Sequence, residues 1–258
     1  MQNRLMPLAG VMNCRDFGAY ETEDGGRVEK GLLFRSAHFA ETTAEDETVL
    51  NALGVGLVVD LRRPEEREME PNRWPGQGVR VLTNDDGLMA PPPHEAVANG
   101  NEWSVASVDR YMIHSYETYP YEPRYVALFS GFLKGLAADA RPAVIHCAAG
   151  KDRTGSLAAL TLRLLGVAED AVMADYLMTN TVSNLEARIP RMRERIFTRY
   201  GAKPSDEALR RMMGVQEDYL GAYFGAIEGR FDRLSDYVES VLQVSGPEQA
   251  AIRARLVG

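Results

Sequence analysis

The sequence predicts an α/β fold in which a mainly parallel central sheet is flanked by helices, with residues 1–258 forming one domain and 166–258 its helical part. Three observations predict it. Apolar runs at residues 55–59 and 143–145 are short, rich in Val and Ile, and bounded by turn residues, as strands buried on both faces are. Tyr125, Leu128, Phe129, Phe132, Leu133 and Leu136 recur at helical spacing before the second run, and Leu157, Leu160, Leu164 and Leu165 after it, which is the alternation of a βαβ unit. Beyond Gly166 every apolar pattern is helical.

Composition sets the bounds. A chain of 258 residues that is 45% hydrophobic buries a large core. Its net charge of −8 argues against nonspecific nucleic-acid binding and against adsorption to an anionic membrane, both of which need a basic surface. No stretch approaches the ~18 apolar residues of a spanning helix, and the N-terminus lacks a charged-then-apolar leader pattern, so the expectation is a cytoplasmic protein without stable membrane insertion. With Cys14 and Cys147 as its only cysteines, the chain holds no disulfide framework, and a reducing compartment suits a free thiol. Nothing in the composition speaks to oligomeric state.

Taken in order, residues 13–40 place a turn, Glu23-Asp24-Gly25-Gly26, between extended runs, which suits a hairpin or edge strand ending at Ser36. Asn13, Arg15 and Asp16 precede it, either as turn chemistry or as a brace for another loop. Thr42-x-x-Glu45 reads as a capping box opening a helix with Val49, Leu50 and Leu53 on one face and Gly54 as its stop. The next strand ends at Asp60, and 78–82 offers another. Residues 84–125 read as an insertion covering the site, because Asp85-Asp86-Gly87, Pro91-Pro92-Pro93 and Asn99-Gly100-Asn101 hold no regular element. Ser104 to Glu117 nevertheless looks helical. The five tyrosines from Tyr111 to Tyr125 serve the core or an aromatic wall for a substrate ring. Later helices are expected near 168–179, 182–199, 205–213, 216–229, 234–244 and 247–256, with Pro190 kinking or restarting the second. Arg188, Arg191, Arg193, Arg195 and Arg199 crowd that second helix as a solvated face or a recruiter of anions.

All of this is organised around 143–155, an apolar strand that breaks into a glycine-bounded polar loop and then a helix. Five residues separate Cys147 from Arg153, and Gly150 and Gly155 give the backbone freedom to turn between them. The amides of such a loop, the helix N-terminus and the Arg153 guanidinium converge on one point and make it electropositive. A thiol there is favoured as its thiolate. The amides of Ala148, Ala149, Gly150 and Lys151, with a bidentate Arg153, suit an anionic tetrahedral group whose central atom faces the Cys147 sulfur. A nucleotide loop is excluded, since Asp152 follows Gly150-Lys151 where Ser or Thr is required, and Ile145 stands where the earlier glycine belongs. His38, His94, His114 and His146 show no metal-ligand spacing, and neither metal nor cofactor is expected.

His146-Cys147-x-x-Gly150-x-x-Arg153-Thr154-Gly155 resembles the signature of cysteine-dependent tyrosine and dual-specificity phosphatases, and Gly150-Lys151-Asp152-Arg153-Thr154-Gly155 that of their bacterial branch, which includes phosphoinositide phosphatases. Asn13-x-Arg15-Asp16-x-Gly18, Leu33-Phe34-Arg35-Ser36, Asp60-Leu61-Arg62 and Ala174-Asp175-Tyr176-Leu177 are similar to that branch's other landmarks. The resemblance implies a phosphatase-like fold and a phosphomonoester hydrolase working through a cysteinyl-phosphate. Its substrate is a phosphorylated protein or a phosphoinositide, and phosphate is its product. Thr154 is then placed to donate its hydroxyl to the Cys147 sulfur, His146 to orient the loop, and Lys151 to meet a second phosphate.

Two other classes compete. Rhodanese-like sulfurtransferases also set a cysteine in a tight anion-binding loop, but Thr154-Gly155 after Arg153 and the helical tail favour the phosphatase. A phosphate-binding module without turnover has no need of both Cys147 and Arg153. Phosphatases of the Trp-Pro-Asp type take their general acid from a movable upstream loop, yet here Trp74-Pro75 is followed by Gly76. Asp152, inside the cradle, is the expected acid and Asp60 the runner-up, ahead of Asp85, Asp86 and Asp109.

Overall fold

The computed structural model describes residues 4–86 and 103–258. Its sheet has five strands, β1 (Arg15–Asp16), β2 (Leu33–Ser36), β3 (Leu57–Asp60), β4 (Arg80–Leu82) and β5 (Ala143–His146), in the order β1-β2-β5-β3-β4. Only β1 runs antiparallel. β2, expected in a hairpin or at an edge, is therefore an interior strand, with the two-residue β1 on its outer side. Register aligns Ser36, His146 and Asp60 at the carboxyl end of three neighbouring strands. Loops leave a parallel sheet at that edge, so whatever follows His146 is presented there.

Side chains alternate across the sheet as the pleat requires. Phe34, Val58 and Val144 face a smaller core with Phe39, Trp74 and Leu50 of α1 (Ala44–Ala52). Leu33, Leu57, Val59 and Ile145 face the larger core, covered by α4 (Pro123–Ala138) and α5 (Asp152–Leu164). The α1 cap is shifted by one residue from expectation: Thr43 accepts from the Asp46 amide while Asp46 returns to the Thr43 amide. Thr42 instead donates to the Phe39 carbonyl, and Val49 points to solvent.

Between the sheet strands lie the short α2 (Pro64–Met69) and α3 (Val105–Thr118). The tail is helical throughout: α6 (Glu169–Val182), α7 (Leu185–Tyr200), α8 (Asp206–Met213), α9 (Glu217–Glu228), α10 (Leu234–Ser240) and α11 (Gly246–Leu256). α10 ends four residues before expectation. α7 runs on through Pro190, because Leu185, Ile189 and Ile196 bury one continuous stripe that holds both halves together. Of the expected cover at 84–125, residues 87–102, with Pro91-Pro92-Pro93, lie outside the described residues. The described part contains α3, a core helix: Val108, Met112 and Tyr116 are buried and the Tyr116 ring meets Tyr119, Tyr176 and Tyr219. No helix among the described residues is long and apolar enough to cross a membrane.

Candidate active site

Cys147 leaves the end of β5 and lies, 2% exposed, at the base of an open cleft of about 220 Å³. Ala148, Ala149, Lys151, Asp152 and Arg153 line the same cleft. α5 starts at Asp152, four residues earlier than its apolar spacing suggests, so Asp152 and Arg153 belong to its first turn. No side chain caps that end, which leaves its amides and the positive pole of the helix to an anion. Gly150 is required twice over. Its φ is +64°, and a Cβ there would sit 2.4 Å from the Ser36 carbonyl.

The cradle is held from behind. Asn13 Nδ2 donates to the Gly150 carbonyl at 2.7 Å and to that of Ala149 at 3.3 Å, and Arg35 donates to the Gly150 carbonyl at 3.1 Å. In a trans peptide the N–H points opposite the carbonyl, so this grip turns the Lys151 amide away from the brace. Arg35 is fixed in turn by Asp175 of α6 at 2.7 Å, which also accepts from Arg15 and Tyr20, both at 3.3 Å. Arg15 closes the ring by donating to the Asn13 side chain. Burial would raise the Asp175 carboxyl, but the charges of Arg15 and Arg35 outweigh it and hold it below the usual range. Asn13 and Arg15 are thus braces, whereas Asp16 is turn chemistry: it accepts from the Gly18 and Gly31 amides at 2.7 and 2.6 Å.

Arg153 is aimed by Glu66 of α2. Its Nη1 and Nη2 donate to the two carboxylate oxygens at 2.6 and 2.9 Å, and Nη1 also reaches the Leu61 carbonyl at 3.2 Å. Burial raises the Glu66 carboxyl, but Arg153 overrides it and brings it down to about 2. Glu66 and Asp175 are the functional neighbours that sequence reasoning did not select. Asp175 belongs to the Ala174-Asp175-Tyr176-Leu177 landmark, while Glu66 carries no local signal beyond being acidic at a helix start.

Asp152 accepts from the Tyr116 hydroxyl at 2.9 Å, and Lys151 Nζ lies 3.4 Å from its other oxygen. One of the five tyrosines therefore joins the site by its hydroxyl while its ring stays in the core. Lys151 is buried, with Nζ donating to the Met212 carbonyl at the end of α8 at 2.6 Å.

The other candidates are elsewhere. Asp60 reaches the right sheet edge but is 2% exposed and clamped by Arg62, whose Nε and Nη2 donate at 2.9 and 2.7 Å. Although burial raises its carboxyl, the neighbouring His146 and Arg62 prevail and hold it low, so it is a strand-end anchor without access to the cleft. His146 is wholly buried against Asn72 at 3.3 Å, and burial brings its pKa to about 4, which leaves it neutral. Thr154 Oγ1 is buried without a hydrogen-bond partner among the described residues, so the expected donation to Cys147 is not made. Asp109 is engaged by Tyr219 at 2.6 Å and Arg211 at 2.8 Å, and Asp85 by Arg67. Asp86 is exposed. Trp74 packs on Phe39 in the smaller core and donates to Asn51, away from the cleft.

The sequence model of the tyrosine phosphatase family matches residues 6–258. A protein of Cupriavidus necator named as a tyrosine-protein phosphatase is 30% identical over 91% of this chain and 82% of its own. The triple specificity protein phosphatase PtpB of Mycobacterium tuberculosis is 31% identical over 95% of both chains. The solved structure of TpbA from P. aeruginosa aligns with 71% of this chain and 86% of its own at 19% identity, with a TM-score of 0.31.

Proposed function

We propose that this chain, which belongs to the tyrosine phosphatase family, hydrolyses phosphomonoesters through a cysteinyl-phosphate on Cys147. The observation that carries the reading is one cleft lined together by Cys147, Arg153 and Asp152 at the uncapped start of α5. The Cys147 thiolate attacks phosphorus and the bond to the leaving oxygen breaks, with Asp152 giving that oxygen its proton. Charge moving onto the equatorial oxygens is met by the loop amides and by Arg153, whose orientation Glu66 sets. Water then attacks phosphorus, the S–P bond breaks, and the Asp152 carboxylate takes the proton of that water. Phosphate leaves.

Phosphotyrosine in proteins is the primary substrate of this reading, because Met192, Met212 and Met213 make the cleft walls apolar enough to receive a ring. Phosphoserine and phosphoinositides extend it. Supporting a phosphoinositide are Arg63, Lys151 and Arg188, which line the cleft together with Arg153. The related PtpB, named for triple specificity, supports the same breadth. The cytoplasm is the compartment that fits, since both cysteines are free and this chemistry needs a thiol.

The test is a panel of phosphotyrosine, phosphoserine and phosphoinositide substrates with an aryl phosphate as reference. Cys147→Ser should lose all turnover yet still bind vanadate, because a hydroxyl hardly alters the cradle but cannot replace the thiolate. Arg153→Lys should lose at least about 100-fold, an ammonium being unable to reproduce the planar fork. Substantial turnover by Cys147→Ser would sink the covalent route.

A further inference from the structure

α7 carries five arginines against two carboxylates, Glu186 and Glu194, in a chain whose net charge is −8. Arg193 pairs with Asp206, and Glu186 is taken by Arg210 at 2.8 Å. Arg188, Arg191 and Arg195 have no carboxylate partner among the described residues. At ~100° per residue, Arg188 and Arg195 lie on one side of the helix, roughly a quarter turn from its buried stripe, with Arg191 beside them. Like charges at these spacings destabilise a helix, so the row costs stability that an anion would restore.

The row begins in the active-site cleft. Arg188 and Met192 line the wall over Cys147, and Met192 also lines an adjoining pocket of about 30 Å³ with Arg195 and Ile196. The two cavities thus share Met192 on α7, with Arg188 in the lining of the first and Arg195 in that of the second.

We propose that Arg188, Arg191 and Arg195 form a docking row for an acidic stretch of a phosphorylated protein, lying beside the phosphorylated side chain in the cleft. The proposal rests on the phosphatase reading of that cleft. A helix rise of ~1.5 Å per residue puts Arg191 and Arg195 about 5 and 10 Å beyond Arg188, and an extended peptide advances ~3.3 Å per residue. Carboxylates two to four residues from the phosphorylated one therefore reach the row. A bilayer is the poorer occupant, because it meets the whole acidic surface, whereas a bound peptide feels only charges within a Debye length of about 8–10 Å.

The experiment compares phosphotyrosine peptides with acidic or neutral residues at those positions in the wild type and in Arg191→Glu/Arg195→Glu. Both positions are exposed, so the fold should tolerate the change. The expected result is a kcat/KM about 10-fold higher for the acidic peptide, carried by KM, falling with added salt and abolished or reversed in the variant. Aryl phosphate turnover should stay within about 2-fold, since the row acts through charge beyond the cradle. Equal kcat/KM for the two peptides in the wild type overturns the proposal. So does a variant that keeps the preference, or one whose only loss is binding to phosphatidylserine or phosphoinositide vesicles. Failure of the phosphatase reading is separately visible as absent aryl phosphate turnover by the wild type.

Discussion

Two carboxylates compete for one proton-transfer role, and burial separates them. Asp60 is spent on Arg62 at the end of a strand, with no face toward the cleft. Asp152 lines the cleft, held by a neutral hydroxyl and a lysine that stands off at 3.4 Å. If Asp152 is the acid, Asp152→Asn should slow aryl phosphates with poor leaving groups about 100-fold while sparing good ones, and should remove the alkaline fall of the rate. Asp60→Asn should instead lower the melting temperature and leave the leaving-group dependence alone. The opposite pattern, read from the same substrate series, reassigns the role. Cys14 is buried in the smaller core, and burial pushes its thiol up to about 12, so it is inert at neutral pH.

At the level of elements, the phosphate loop owes its shape to segments far from it in the chain. Asn13 precedes β1, Arg35 sits on β2 and Asp175 on α6, and together they fix the carbonyls of Ala149 and Gly150. Asn13 holds φ at +57°, a conformation glycine adopts freely. Asn13→Gly thus removes the grip and keeps the backbone preference. Its kcat/KM should fall about 10- to 100-fold, and vanadate should bind more weakly, with the melting temperature within a few degrees of wild type. A merely structural Asn13 would show the reverse, a lower melting temperature with normal kinetics per folded molecule.

For the whole molecule, His146 ties stability to pH. It is wholly buried between Phe39, Asn72 and Asp60, and burial holds its folded pKa at about 4 against 6.5 when unfolded. Between those values the unfolded chain binds more protons, so stability is full above about pH 6.5 and is lost as pH falls toward 4, by roughly 3 kcal/mol at most. Urea unfolding across this window should show that slope. His146→Gln should flatten it, even though the variant is less stable at neutral pH.

The sequence by itself determined the local grammar of this protein. Periodicity, caps and glycines located the strand entering the loop, the helix leaving it and the helical tail, because those signals arise between residues a few positions apart. The spacing of Cys147, Gly150 and Arg153 determined the chemistry for the same reason. Tertiary structure alone decided which polar residues serve it. Glu66 reaches Arg153 across 87 positions and Asp175 reaches Arg35 across 140, separations at which no periodicity survives. It also decided that α3 packs into the core, that Pro190 does not break α7, and that Asp60 is buried while Asp152 lines the cleft. Each is a question of what packs on what, and only the folded chain brings those partners together.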